Sequence, residues 1–305
     1  MNEKKIKPAL TFDEQLTRLK MVRKLIIKDE FQAVEQLKKY NYYRLSAYMK
    51  PYMAGEHFRD GTTFEQVVDL YNFDRQLRQI LMPILESIEI AIKTQVAYLL
   101  GNNYGPLSYK DKNYFKNEVY HEKFLSVFDK ELRQAANVKN ASILHHMATY
   151  EGHIPIWVAV EIMSFTTISK LFSNLLDEDR QHISKSYFGH DEAYLSSWLN
   201  TLSYVRNIIA HHARLFNRSL TSPVRLSRRE RKLGFPNNKV FAVFYIAKKL
   251  CKEPSDWDTL LSQLYVLIDQ FRDKPERDLI WFPSNWGDIL DTKFGNNSDM
   301  LSKRT

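Results

Sequence analysis

Along most of this chain apolar residues recur at steps of three and four, the period of a helix with one buried face. The longest such stripe covers residues 64–100, through Val67, Tyr71, Leu77, Leu81, Ile84, Leu85, Ile88, Ile92 and Val96. Pro83 interrupts it. Proline has no N–H to donate, so a kink or a break into two helices is expected there. The glycine- and asparagine-rich run 101–106 marks its end. Upstream, Thr11 and Glu14 have the spacing of a capping box, opening a helix to about Leu25, and a second helix follows over 29–40. Helical spacing returns over 116–136, 156–174, 193–214, 239–250 and 257–271. Strand signals are few and short, so the fold class is all-α. Soft boundaries near 55–61 and 217–238 divide the chain into regions 1–60, 61–216 and 217–305. The second boundary is arginine-rich and polar, and is expected to be partly disordered until something binds it.

Composition narrows the function classes. With 305 residues, 44% hydrophobic and 26% charged, the chain can bury a substantial core. Its single cysteine, Cys251, excludes an intrachain disulfide framework and a cysteine-based zinc site. No apolar run approaches the roughly 18 residues of a membrane span. The charged first residues precede no apolar segment, so no secretory signal is expected and the chain is read as cytoplasmic. The net charge of +8 is compatible with a nucleic-acid partner without demanding one.

One segment carries candidate chemistry: Arg206, Asn207, His211, His212 and Arg214 at the end of an amphipathic helix. That helix has Leu195, Trp198, Leu199, Leu202, Val205 and Ile209 as its apolar face. With Arg206 at zero, Asn207 lies about 100° round the helix and His211 about 140°. His212 falls about 100° further on, which disfavours a two-histidine metal clamp. An imidazole that titrates near neutrality suits acid–base work, and a guanidinium suits a phosphate. Arg, Asn and His on one helical arc are nonetheless also common on solvated surfaces.

Other groups have blander readings. Glu86 and Glu89 lie one turn apart beside the long stripe, where salt bridges to Arg75, Arg78 or Lys93 are the expected role; support of the Arg–His motif is the alternative. Asp74 and Arg78 form an i,i+4 pair. The aromatic block 40–52 is expected to pack in the core rather than stack bases. His145, His146 and His153 lack ligand partners at metal spacing, so no metal and no cofactor are expected.

Arg206-Asn207-Ile-Ile-Ala-His211 resembles the motif of the HEPN superfamily of helical nucleases. More closely, the chain is similar to the AbiD/AbiF-like abortive-infection proteins. The likeness rests on residues 42–48 (YYRLSAY), residues 70–78 (LYNFDRQLR) running on to 86–92 (ESIEIAI), and residues 206–218. Together these bracket about residues 10–218. The resemblance implies a HEPN four-helix core in region 61–216, with helical extensions on either side. It further implies a metal-independent endoribonuclease toxin of phage defence, working at a composite homodimer cleft. Arg206, Asn207 and His211 would be its catalytic residues, with Glu86, Glu89 and His212 behind them. RNA would be the substrate, and a structured small RNA the antitoxin.

The charge map adds position to these expectations. Residues 214–250 hold ten basic residues against a single acid, Glu230, so this stretch carries +9 and the rest of the chain about −1. Arg214, Arg218, Arg225, Arg228, Arg229, Arg231 and Lys232 thereby become candidate RNA-backbone contacts. A non-catalytic RNA-binding module would use the same residues, whereas a helical protein-interaction scaffold would show no RNA affinity. Neutralising Arg225, Arg228 and Arg229 together should weaken RNA binding and reduce the slope of log K against log salt by about 0.7 per lost phosphate contact on single strands, read by fluorescence anisotropy at several salt concentrations.

Overall fold

The structure is a computed structural model and describes residues 8–274 and 276–291. The charged first residues, on which the reading of no secretory signal rests, lie outside these. Two compact units divide between Arg78 and Gln79. Among the described residues there are fourteen α-helices and one two-stranded sheet, so the chain is all-α. No helix among them is long and apolar enough to cross a membrane.

In the first unit the Thr11 capping box forms: Thr11 N–H donates to Glu14, and Glu14 N–H donates to the Thr11 hydroxyl. It opens α1 (Phe12–Thr17), which passes into a π-helical turn, Arg18–Val22, instead of continuing to Leu25. Helix α2 (Glu30–Lys39) is capped by Asp29, and α3 (Tyr42–Met49) by Asn41. A short hairpin, β1 (Met53–Ala54) and β2 (His57–Phe58), turns at Gly55, whose φ of 66° favours a residue without Cβ. Helix α4 (Phe64–Tyr104) begins here.

Of the aromatic block, Tyr40, Tyr48 and Tyr52 pack inward as expected, whereas Tyr43 is exposed. Tyr40 and Tyr48 both set their rings against Tyr71. Beneath them Asp74, fully buried, pairs with Arg78 and accepts from the Tyr48 hydroxyl, while Arg78 Nη1 donates to the same hydroxyl at 3.3 Å. The i,i+4 pair expected from the sequence is thus the middle of a buried network. Burial and the Asp74 charge push the Tyr48 pKa upward, keeping its proton available for donation.

The second unit takes up the rest of α4. Pro83 lies inside a single helix with no break, because only one i→i−4 hydrogen bond is lost while Leu81, Ile84, Leu85 and Ile88 stay buried around it. There follow α5 (Glu118–Asn137), α6 (Ala141–Thr149), α7 (Ile156–Ile162), α8 (Phe165–Asn174), α9 (Asp177–Ile183) and α10 (Glu192–Ala210). Then come α11 (Arg228–Arg231), α12 (Val240–Leu250), α13 (Pro254–Asp269) and α14 (Trp286–Asp291). The stretch 156–174 is two helices rather than one. Met163 turns extended and the Ser164 hydroxyl accepts the Thr167 N–H, a cap that starts α8 afresh.

Helix α8 packs against both α5 and α10, with Phe165, Ile168, Leu171 and Phe172 fully buried. Each apolar side chain of that size stabilises the fold by about 1.5–3 kcal/mol relative to exposure. Helix α12 is apolar nearly all round and buried accordingly. Its Lys248 is carried inward with it, where burial pushes the ammonium pKa down to about 8 and Nζ faces the Ile289 carbonyl at 3.4 Å. The segment 217–238, expected to be partly disordered, is held by buried Leu220, Val224, Leu226 and Phe235 and by hydrogen bonds from the Leu220 and Val224 N–H groups to the carbonyls of Asn238 and Asn237.

Removing one partner from the buried Asp74 network leaves Arg78 without its counter-charge. Asp74→Ala should therefore cost about 3–5 kcal/mol in urea denaturation. The double replacement Asp74→Leu/Arg78→Met, which leaves no buried charge, should lose markedly less.

Candidate functional site

Helix α10 buries Leu195, Trp198, Leu199, Leu202, Val205, Ile208 and Ile209, the predicted face with Ile208 added. It ends at Ala210 rather than at Arg214. The reason lies in the next two residues. His212 takes a left-handed conformation, φ 54°. Its N–H donates to the Ile209 carbonyl and the Ala213 N–H to the Ile208 carbonyl, both at 2.9 Å. This pair of reversed bonds is the Schellman arrangement, with histidine where glycine is usual. His211 is the C-cap, and its N–H bonds the Asn207 carbonyl at 3.0 Å. Beyond the turn, Leu215 and Phe216 are fully buried and tie the chain down.

Arg206 projects from the less buried side of α10, its side chain 31% exposed. Its Nε meets the Glu89 carboxylate from α4 at 3.2 Å, and the other Glu89 oxygen meets Lys93 at 3.0 Å. The Glu89 side chain is only 9% exposed. One buried carboxylate thus holds two cations, and the cluster keeps a net positive charge. Glu86, one turn away, is exposed and makes no ion pair among the described residues. The two glutamates therefore separate into a buried anchor for Arg206 and a solvated side chain.

Asn207 donates from Nδ2 to the Thr166 hydroxyl of α8 at 3.0 Å. Its amide nitrogen is thereby directed at the neighbouring helix and not at His211. The imidazoles of His211 and His212 are exposed on successive residues. Among the described residues, that of His211 has no hydrogen-bond partner. Nothing in the sequence signalled Thr166, a threonine on a helix otherwise read for its apolar face, whereas Lys93 was legible at i+4 from Glu89.

The basic stretch divides in two. Arg225, Arg228, Arg229, Arg231 and Lys232 are exposed. Arg225 lies over the Tyr194 ring, 5.2 Å from its centre, and its carbonyl accepts from Trp198 Nε1. Arg231 Nε donates to the Leu226 carbonyl. Arg214 and Arg218 are half-buried, and Arg218 Nε donates to the Arg214 carbonyl at 2.7 Å. Hydrogen bonds from Thr221 and then Arg218 lower the pKa of Tyr204. The remaining lysines of the count serve the fold: Lys248 is buried, Lys239 caps the Trp281 ring, and Lys249 pairs with Glu230.

Glu230, the one acid of the stretch, is buried as the closing member of a capping box with Ser227. Although burial opposes ionisation, Lys249 and Ser227 hold its carboxyl below the usual range. It does not offset the exposed arginines. No group of three His, Cys, Asp or Glu side chains among the described residues is placed to hold a metal ion. His146 and His153 instead donate from Nδ1 to the backbone carbonyls of Ser142 and Tyr150.

Glu89→Ala should cost about 1.5–3 kcal/mol, the range for hydrogen bonds to charged groups, read as a lowered midpoint in urea. Arg206→Ala should cost less, because Lys93 still pairs with Glu89.

A family model of Abi-like proteins matches residues 35–217. No curated protein matches the chain, and no solved structure does.

Proposed function

The chain belongs to the Abi-like protein family, and from that premise we propose that it is a metal-independent endoribonuclease of abortive-infection phage defence. Membership points to abortive infection; the HEPN-type chemistry and the AbiD/AbiF-like subtype are the finer part of the proposal. One observation carries it: His211, an exposed imidazole without a hydrogen-bond partner among the described residues, follows within two turns of helix a guanidinium fixed by a buried carboxylate.

Such a pair suits RNA cleavage by the RNA's own 2′-hydroxyl. A base takes the 2′-OH proton, the oxygen attacks the adjacent phosphorus, and the bond from phosphorus to the 5′-oxygen breaks. The leaving oxygen takes up a proton. The products are a 2′,3′-cyclic phosphate and a 5′-hydroxyl end. His211 serves as base or acid, and Arg206 neutralises the charge of the phosphorane. Asn207, anchored through Nδ2, keeps its carbonyl oxygen for orienting substrate. DNA lacks the attacking hydroxyl and is not cut. Each chain supplies one Arg–His set, so a homodimer brings base and acid to one cleft. Glu89 positions Arg206, and the His212 backbone sets where His211 lies. The exposed residues Arg225, Arg228, Arg229, Arg231 and Lys232, with Arg214 and Arg218, hold the RNA backbone, either of substrate or of a structured antitoxin RNA, in the cytoplasm.

A second reading, a non-catalytic RNA-binding module of the same fold, draws on the internal engagement of Arg206 with Glu89 and Asn207 with Thr166. His211→Ala separates the two. With folding checked by circular dichroism, cleavage of labelled RNA in EDTA should fall about 100-fold or more. Undiminished cleavage would remove His211 from the chemistry, and RNA binding without products in the unaltered chain would favour the second reading.

A further inference from the structure

Beside the Arg–His helix runs a cleft of about 490 Å³ walled by α5, α8 and α10. Helix α5 turns Tyr120, Lys123, Phe124 and Val127 into it, positions i, i+3, i+4 and i+7 of one stripe. From α8 come Thr166, Ser169 and Lys170, and from α10 Asn200. Asn200 and Asn207 are seven residues apart and share a face of α10. The hydrogen bond from Asn207 to Thr166 therefore joins the candidate catalytic helix directly to the cleft wall. A second bond, Thr167 hydroxyl to Glu131 at 2.8 Å, ties α8 to α5. Each neighbouring pair of walls is thus joined by a side-chain hydrogen bond.

The lining has a definite chemistry. Two lysines and no carboxylate face the cleft, which selects an anion. Tyr120 is 61% exposed, and Lys123 Nζ sits 5.7 Å from its ring centre. The cleft thus combines a flat apolar face with an adjacent cation. Deeper, Ser169 is only 1% exposed and its hydroxyl is closed off from the cleft. The Asn200 amide donates to Ser222 at 2.7 Å, leaving its carbonyl oxygen as an acceptor at the rim. The volume falls within the range of roughly 300–1,000 Å³ usual for sites that enclose a small ligand.

We propose that this cleft is a nucleotide subsite, taking one base of a bound RNA against Tyr120 and Phe124, with its phosphates on Lys123 and Lys170 and its polar edge toward the side-chain carbonyl of Asn200. The inference rests on the RNA reading above and deepens it. The Asn207–Thr166 bond would make occupancy of the subsite felt at the catalytic helix, so that the base bound here decides which phosphate reaches Arg206 and His211. Cleavage would then prefer particular bases at one position relative to the cut.

The test uses the full chain and a 12-nucleotide 2′-O-methyl RNA, which has no attacking hydroxyl. Binding is read by fluorescence anisotropy, and 4-thiouridine in the same oligonucleotide reports position by photo-crosslinking and mass spectrometry. Tyr120→Ala should weaken binding about 5- to 150-fold, the range for loss of one stacked base. Lys123→Gln and Lys170→Gln should each reduce the salt slope by about 0.7. The crosslink should map to α5, and all three variants should keep the parent circular dichroism. Failure of the unaltered chain to bind any RNA would overturn the RNA reading and this inference together. RNA binding unchanged in all three cleft variants, with crosslinks only in 214–232, would overturn the subsite alone. Displacement by polyglutamate as effective as by unlabelled RNA would show an anion site without base recognition, and would also overturn it.

Discussion

A single buried carboxylate sets the geometry on which the candidate site depends. Glu89 is buried on α4 between two cations, and a buried charge is kept only where such partners offset its lost hydration. Lys93 comes from its own helix at i+4 and accounts for one oxygen. The other oxygen is satisfied by Arg206, from a helix more than a hundred residues later in the chain. The pairing therefore fixes where α10 lies along α4. It also presents the guanidinium through Nε, on a side chain still partly open to solvent. Two cations on one anion leave a positive remainder. Stability and local charge are here properties of the same three side chains.

The helices were legible in the sequence to the extent that each buries one face. The stripe through Val67, Leu81, Ile92 and Val96 gave α4, and the apolar residues from Leu195 to Ile209 gave α10. Their ends were not legible, because ends are decided by single hydrogen bonds. Ser164 restarts a helix by capping it, within a stretch whose apolar period never falters. At Pro83 the local rule was outweighed, since packing on either side holds one helix through a missing bond. Asp74, Arg78 and Tyr48 show the same separation of local and distant information. The i,i+4 pair could be read from spacing, but its complete burial could not, because that depends on a tyrosine 26 residues earlier.

Charge was the least transferable quantity. A count of ten basic residues in 214–250 weighs all of them alike. Three of them instead serve the fold: Lys248 inside α12, Lys249 on Glu230, and Lys239 over Trp281. The single acid is consumed by a helix cap. What remains at the surface is a compact arginine group around a four-residue helix, anchored by Leu220, Val224, Leu226 and Phe235. It is preformed, so an RNA that binds there need not supply the ordering free energy of a disordered arm. The cleft lysines, Lys123 and Lys170, lie in segments whose overall charge is unremarkable and escaped the count entirely.

The left-handed residue after His211 bears on how the paired histidines should be interpreted. A backbone at φ 54° is tolerated by glycine, asparagine or histidine and is strongly disfavoured for β-branched side chains. The identity of position 212 is thus constrained by conformation before any chemistry is considered. A valine or isoleucine there would strain the turn that ends α10 and shift the neighbouring imidazole from its place at the helix end. Two adjacent histidines in one motif can therefore be retained for unrelated reasons, one for its ring and the other for its backbone.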